Sequence, residues 1–217
     1  MQILVTAATG LEIHPFASLV SPANQMFGPH HCSTGITGVG LFSTGFHLVD
    51  LIEKLNPDLI IQAGICGTFN KAHPPGSVVI VGEEYFGDTG VWENGRFSDL
   101  FDMGLQLDEF PFLSKTLANP DIKGKNWNNI PVVKGVSVNQ ISSRVEQIAE
   151  LKRKYNPDVE SMEGAAFHYV CLMKKVKFLQ IRGVSNFTGD RNKNNWKMEE
   201  AIGNLNNSLV KIISEYL

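Results

Sequence analysis

Four polar side chains stand where turns follow apolar runs: Glu12, Glu163, Arg182 and Asn186. In open α/β sheets ligands collect outside the carboxyl ends of the strands, so residues just past a strand are the first candidates for chemistry. Glu163 at the start of a helix and Arg182 with Asn186 at the end of the next strand would bring a carboxylate, a guanidinium and a primary amide around one pocket. Each taken alone reads equally as a helix cap, a surface salt bridge or a turn residue. Glu12 follows Ile3-Leu4-Val5-Thr6-Ala7-Ala8-Thr9-Gly10, where a dinucleotide fingerprint would need three glycines and only Gly10 is present. A carboxylate there would repel a docked pyrophosphate, and by itself it reads as a charge favoured at a helix start. A second glycine turn, Gly64-Ile65-Cys66-Gly67, could offer backbone N–H groups to an anion, yet no Arg or Lys adjoins it.

The elements that must hold these residues follow from periodicity. Ile3–Val5 and Leu59–Gly64 read as buried strands, with further strands at Ser77–Val81, Ile130–Val138 and Phe178–Val184. Helical spacing sets Leu48, Val49, Leu51, Ile52 and Leu55 on one face of a Leu41–Leu55 helix, which Pro57 stops. Ser143-Arg144-Val145-Glu146 has the form of a capping box opening a helix to about Tyr155. Another helix runs from the small residues after Glu163 to about Val176, and an amphipathic helix spans Trp196 to Leu217. Residues Tyr85 to Trp127 lack clear periodicity and read as a loop-rich insertion. Strands alternating with helices predict one three-layer α/β domain over residues 1–217, a central mixed sheet flanked by helices.

Composition narrows the function. Nineteen basic against 22 acidic residues give a net charge of -3, excluding the basic footprint of a nucleic-acid binder or a polybasic membrane-surface protein. The first arginine is Arg96, and before it only Lys54 and Lys71 add positive charge. No apolar run approaches the ~18 residues of a membrane span, and Met1–Ala8 lacks a signal-peptide pattern. Cys32, Cys66 and Cys171 are widely spaced, with no Cys-x-x-Cys pair for zinc, and read as buried small residues in a reducing compartment. The expectation is a cytoplasmic enzyme with no nucleic-acid partner and no membrane.

Ile60-Ile61-Gln62-Ala63-Gly64-Ile65-Cys66-Gly67, Val159-Glu160-Ser161-Met162-Glu163-Gly164-Ala165-Ala166 and Ile181-Arg182-Gly183-Val184-Ser185-Asn186, together with Glu12, resemble the purine nucleoside phosphorylase and nucleosidase superfamily. The resemblance implies a small-molecule purine nucleoside as substrate, no metal or organic cofactor, and a homo-oligomer. It matches Glu12 to the water-activating carboxylate, Met162 and Glu163 to the ribose contacts, and Arg182 to a basic residue near the attacking water, where its charge would complement Glu12. It also marks the Gly64 turn and, for the purine, Val138 and Asn139 as binding positions; relatives often use an aromatic there, so Phe187 or a residue of the Tyr85–Phe101 loop is left to stack on the ring. Asn186 falls where adenine-cleaving relatives carry aspartate. An amide can accept from a protonated N7 and donate to a 6-oxo group, whereas aspartate would oppose lone pairs at that oxygen, so asparagine favours hypoxanthine. Phosphorylases of the superfamily hold phosphate with an arginine at the position of Gln62 and a hydroxyl at that of Ile65, so water is the expected nucleophile. Met162–Ala166 and Ser185–Arg191 look most like the members that release hypoxanthine from futalosine, on a route to menaquinone. The runner-up readings are an adenine-directed nucleosidase for methylthioadenosine, S-adenosylhomocysteine or aminodeoxyfutalosine, and a non-catalytic nucleoside binder.

Overall fold

The computed structural model describes residues 1–20, 25–122, 127, 129–215 and 217. Its eleven strands are β1 (Gln2–Ala7), β2 (Met26–Phe27), β3 (His30–Ile36), β4 (Leu59–Thr68), β5 (Val78–Phe86), β6 (Gly90–Glu93), β7 (Arg96–Asp99), β8 (Leu117–Ala118), β9 (Val132–Ser137), β10 (Val159–Ser161) and β11 (Lys177–Phe187). Five α-helices join them among the described residues: α1 (Gly10–Ala17), α2 (Leu41–Leu55), α3 (Val145–Tyr155), α4 (Gly164–Lys174) and α5 (Met198–Glu215).

Nine strands make one mixed sheet in the order β10-β9-β5-β11-β4-β1-β3-β2, with β8 added on β5. The sheet does not stay open. The carboxyl half of β4 pairs antiparallel with β10, so β4, β11, β5, β9 and β10 form a closed ring. Apolar residues fill both outer faces. Ile61, Leu179 and Ile181 of the sheet pack with Ile13, Phe16, Leu205, Leu209 and Ile212 of α1 and α5. Leu4, Ile60 and Phe178 pack on the other side with Leu48 and Ile52 of α2 and Phe167 and Cys171 of α4. The α/β architecture expected from the alternating pattern is therefore present, with helices on two faces of a mixed sheet. All three cysteines are free and buried.

Local chemistry explains where element boundaries depart from expectation. The insertion at Tyr85–Trp127 is partly ordered by the β6–β7 hairpin, whose Asn94-Gly95 turn has positive φ at both residues (51° and 75°), the geometry that suits a tight hairpin. Residues 123–126 of that insertion lie outside the described residues, as does residue 216 of the expected terminal helix. α3 starts with Arg144 as its cap and without a side-chain cap bond, so Ser143 does not build the expected capping box. α4 stops at Lys174 because Lys175 turns left-handed (φ 56°). Trp196 precedes α5 rather than opening it. Leu55 is exposed at the end of α2, where Asn56 turns left-handed.

β11 carries the irregularity that matters most. It runs past the expected end at Val184, and its register against β4 slips between Val184 and Asn186. A bulge of this kind lets one residue drop out of pairing and re-aims those that follow. Ser185 is skipped, and Asn186 lies opposite Gly67 of β4. Glu160 of β10 pairs with the same Gly67 from the other side.

Candidate active site

The carboxyl ends of β1, β4, β10 and β11 surround a cavity of about 340 Å³. Glu12, Met162, Glu163 and Asn186 all line it, so four residues separated by up to 174 positions in the chain meet at one place.

Glu12 is buried in the first turn of α1. One carboxylate oxygen accepts the Thr9 backbone N–H (2.8 Å) and hydroxyl (3.0 Å), and the other accepts the Ile65 N–H (3.1 Å). α1 is itself tied to α5: the Asn206 side-chain amide donates to the Glu12 carbonyl (2.8 Å) and accepts from the Phe16 N–H (3.0 Å). A carboxylate so oriented, with lone pairs left over in a cleft, can take a proton from a bound water.

Glu163 caps α4, and one of its oxygens accepts the Gly40 N–H at 3.2 Å. The other faces Arg182 Nη1 at 3.3 Å. Here the structure redirects an expectation. Arg182 does not line the cavity. It is 1% exposed, its Nη2 donates to Gln62 Oε1 at 2.7 Å, and its ion pair is with Glu163 rather than Glu12. The guanidinium lies behind the wall at Gly64, where an added Cβ would run into both Arg182 and Glu12 Oε1. Gly64 thus acts by lacking a side chain, which lets the buried cation approach the two carboxylates.

Asn186 is held in a defined amide orientation. Its Nδ2 donates to the Phe187 carbonyl at 2.9 Å, and its Oδ1 accepts from the Ser185 hydroxyl at 2.7 Å. A carbonyl can only accept, so the nitrogen is fixed on that side, leaving one N–H and one oxygen lone pair for a ligand.

Val138, Asn139 and Phe187 do not line the cavity. Val138 turns its side chain into a cluster with Val136, Leu151 and Tyr155, because the strand end faces α3. Asn139 is exposed and bonded to Asp88 through its backbone N–H (2.5 Å) and side chain (3.2 Å). Phe187, beyond the bulge, is 39% exposed. Ile141, Val39, Trp196, Met198 and Ile202 line the cavity instead. Sequence reasoning missed Glu160, Thr188 and Arg191, all of which line the cavity. Arg191 stacks on Trp196, with 5.4 Å from guanidinium carbon to ring centre. Only the pairing of β10 with β4 makes Glu160 a wall residue.

Beneath the site lies a buried polar chain. Glu84 is 1% exposed, accepts from Ser137 Oγ (3.0 Å) and Gln180 Nε2 (2.9 Å), and is pushed up from 4.5 to about 7, chiefly by burial. Ser137 Oγ lies 2.8 Å from the Ala165 N–H in the first turn of α4, so this chain underpins the helix that presents Glu163. His168, fully buried, is driven down from 6.5 to about 4 by the same cause, with Nδ1 2.8 Å from the Leu117 carbonyl oxygen.

A strand-end cavity combining a poised carboxylate, a second carboxylate and an amide on a closed mixed sheet defines an α/β enzyme acting on a small polar ligand. The phosphorylase superfamily matches residues 2–217, and the chain belongs to it. It is 27% identical over 207 residues to a futalosine hydrolase of Thermus thermophilus, covering 94% of this chain and 90% of that one. It is 28% identical over 158 residues to a 5'-methylthioadenosine/S-adenosylhomocysteine nucleosidase of Aeromonas salmonicida, covering 70% and 67%. Among solved structures, the native futalosine hydrolase of Helicobacter pylori superposes with a TM-score of 0.79 at 14% identity, covering 98% and 97% of the two chains. The two curated relatives are named as a hydrolase and a nucleosidase.

Proposed function

We propose that this enzyme hydrolyses the N-glycosidic bond of futalosine, a 6-oxopurine nucleoside, and releases hypoxanthine. Glu12 takes a proton from water as the water oxygen attacks the anomeric carbon. The electron pair of the breaking bond passes to the purine, which takes up a proton from solvent at N7, while Glu12 returns its proton to solvent, so that one water is consumed in all. Glu163 accepts hydrogen bonds from the ribose hydroxyls and Met162 packs on the sugar. Arg182 acts from behind, neutralising the charge of Glu163 rather than touching water.

The observation that carries the reading is the unfilled capacity of Asn186: one N–H for a 6-oxo group and one lone pair for a protonated N7. The futalosine hydrolase relative covers most of both chains, in keeping with that preference. Water as nucleophile is supported by the walls of the cavity. Gln62 spends its oxygen on Arg182, Ile65 offers only a backbone N–H already bonded to Glu12, and Arg182 is covered, so none of these three positions presents an open cation to a phosphate.

The test is to incubate the protein with futalosine, inosine and methylthioadenosine, with and without phosphate, and to follow free base by chromatography. Hypoxanthine released from futalosine at a rate indifferent to phosphate is the expected result. Release that requires phosphate, or adenine released faster than hypoxanthine, would refute it.

A further inference from the structure

Glu84 has no part in the scheme above, yet it lies against the residue next to Glu163. It is buried, and a Cβ on Gly164 would fall on its Oε1, so the start of α4 rests directly on this carboxyl. The Ala165 N–H in the same turn donates to Ser137 Oγ (2.8 Å), which leaves the Ser137 hydroxyl hydrogen for Glu84 Oε2 (3.0 Å). On the other side Oε1 faces Gln180 Nε2 at 2.9 Å, and beyond Gln180 stands His168.

The donors and acceptors of this chain match in one arrangement. The Leu117 carbonyl can only accept, so His168 carries its hydrogen on Nδ1, and the imidazole, kept neutral by burial, has a lone pair alone at Nε2. With the Gln180 amide nitrogen turned to Glu84, His168 Nε2 and Gln180 Oε1 are both buried without a hydrogen-bond partner among the described residues. Turning the amide end for end supplies both: its nitrogen donates to His168 Nε2, and its oxygen faces Glu84 Oε1. Two bare oxygens would repel there, so this arrangement requires a hydrogen on Glu84 Oε1. Burial favours the same proton, pushing the carboxyl up to about 7.

We infer that Glu84 is a positioning residue for Glu163, its proton completing an unbroken hydrogen-bond chain from the Leu117 carbonyl through His168, Gln180 and Ser137 to the first turn of α4. This rests on the ribose role proposed for Glu163. Among the described residues, the charged and titratable groups around Glu84 are Arg182 of β11, Glu163 and His168 of α4 and Cys66 of β4, while β8 and β9 bring the Leu117 carbonyl and the Ser137 hydroxyl. Loss of the proton breaks the chain at Gln180. It also sets a second buried negative charge near Glu163, in competition for the guanidinium that holds Glu163 at 3.3 Å. The grip on the ribose hydroxyls then slackens.

Two readouts test this. The infrared spectrum of the wild type minus that of Glu84→Gln should show a buried carboxylic-acid C=O band at pH 6 that fades by pH 8.5, and its absence at pH 6 overturns the inference. The second readout is base release from futalosine. In the wild type kcat/KM should fall by about tenfold or more from pH 6.5 to 8.5. Glu84→Gln, whose amide can donate to Gln180 and accept from Ser137 at every pH, should change by less than about threefold. An equal fall in both proteins overturns the role of Glu84 and leaves the proposed function standing. If the wild type releases no base from futalosine, the proposed substrate fails and the same comparison is read on inosine and methylthioadenosine; release from none of the three overturns both.

Discussion

Glu84 and His168 are buried neighbours of Gln180 whose protonation shifts pull stability in opposite directions with pH. Glu84 moves from 4.5 to about 7 on folding. Between those values the folded protein keeps a proton that the unfolded chain has lost, so stability declines as pH rises through this window. His168 moves from 6.5 to about 4. Between those values the unfolded chain binds a proton that the folded protein refuses, so stability climbs as pH rises from about 4 to 6.5. At about 1.4 kcal/mol per pH unit each effect amounts to roughly 3 kcal/mol, and from pH 4.5 to 6.5 they nearly cancel. Their joint contribution to the wild-type profile is accordingly flat over that span, and substitution should unmask each slope. Glu84→Gln keeps an acceptor for Ser137, and a turned Gln180 amide can face it with its oxygen, which is otherwise unpartnered. That variant should gain about 3 kcal/mol of stability between pH 4 and 6.5. His168→Asn should lose a similar amount between pH 4.5 and 7. Urea denaturation followed by tryptophan fluorescence at half-unit steps measures both. If Glu84→Gln and wild type run parallel from pH 4.5 to 7, Glu84 does not hold a proton in the folded protein and the reasoning is refuted.

Other expectations concern the cavity. Glu12→Gln should reduce the rate of base release by about 10²- to 10⁴-fold, with a modest fall in the thermal midpoint because the Gln oxygen can still accept from Thr9 but its nitrogen faces the Ile65 N–H; a rate within threefold of wild type in a quenched assay would exclude Glu12 as the proton acceptor. Asn186→Asp sets an oxygen against the Phe187 carbonyl 2.9 Å away and removes the donor for O6, so hypoxanthine release should fall by about 10²-fold or more while adenine becomes the better product inhibitor. Equal inhibition by the two bases would contradict this. Asn206→Ala strands the Glu12 carbonyl and the Phe16 N–H in the core, which should cost about 1–3 kcal/mol in chemical denaturation and slow turnover as α1 loosens.

What the sequence disclosed and what it hid divide along a physical line. Glu12, Met162, Glu163 and Asn186 were legible because each follows an apolar strand, and strand ends converge wherever a parallel sheet forms. Arg182 was legible as a residue near the strand ends but not in its partner: its choice of Glu163 over Glu12 depends on side-chain reach behind Gly64, which spacing does not encode. Val138 was misjudged by the turn of one strand end, since a single step along the chain exchanges the cavity face for the α3 face. Asn206 and Glu160 were invisible for a common reason. Each acts through contact with a distant segment, α1 in one case and Gly67 in the other, and neither segment leaves a mark in the residues around it. The hairpin in the insertion was hidden by its length, four residues a strand, too short for alternation to register.

The strand ring also bears on the order in which the protein comes together. β11 is inserted between β4 and β5, yet it is made from residues Lys177–Phe187, more than ninety positions after β5 ends. Emerging from the ribosome, β4 and β5 must wait for most of the remaining chain before their shared neighbour exists. Contacts of such long sequence separation form slowly, since chain entropy is lost before packing rewards it. Glu12 is therefore among the first site residues synthesised and among the last to find its surroundings complete. Catalytic competence should arise abruptly, with the docking of the final strand, and a nascent chain ending before Lys177 would hold a carboxylate with no cavity around it.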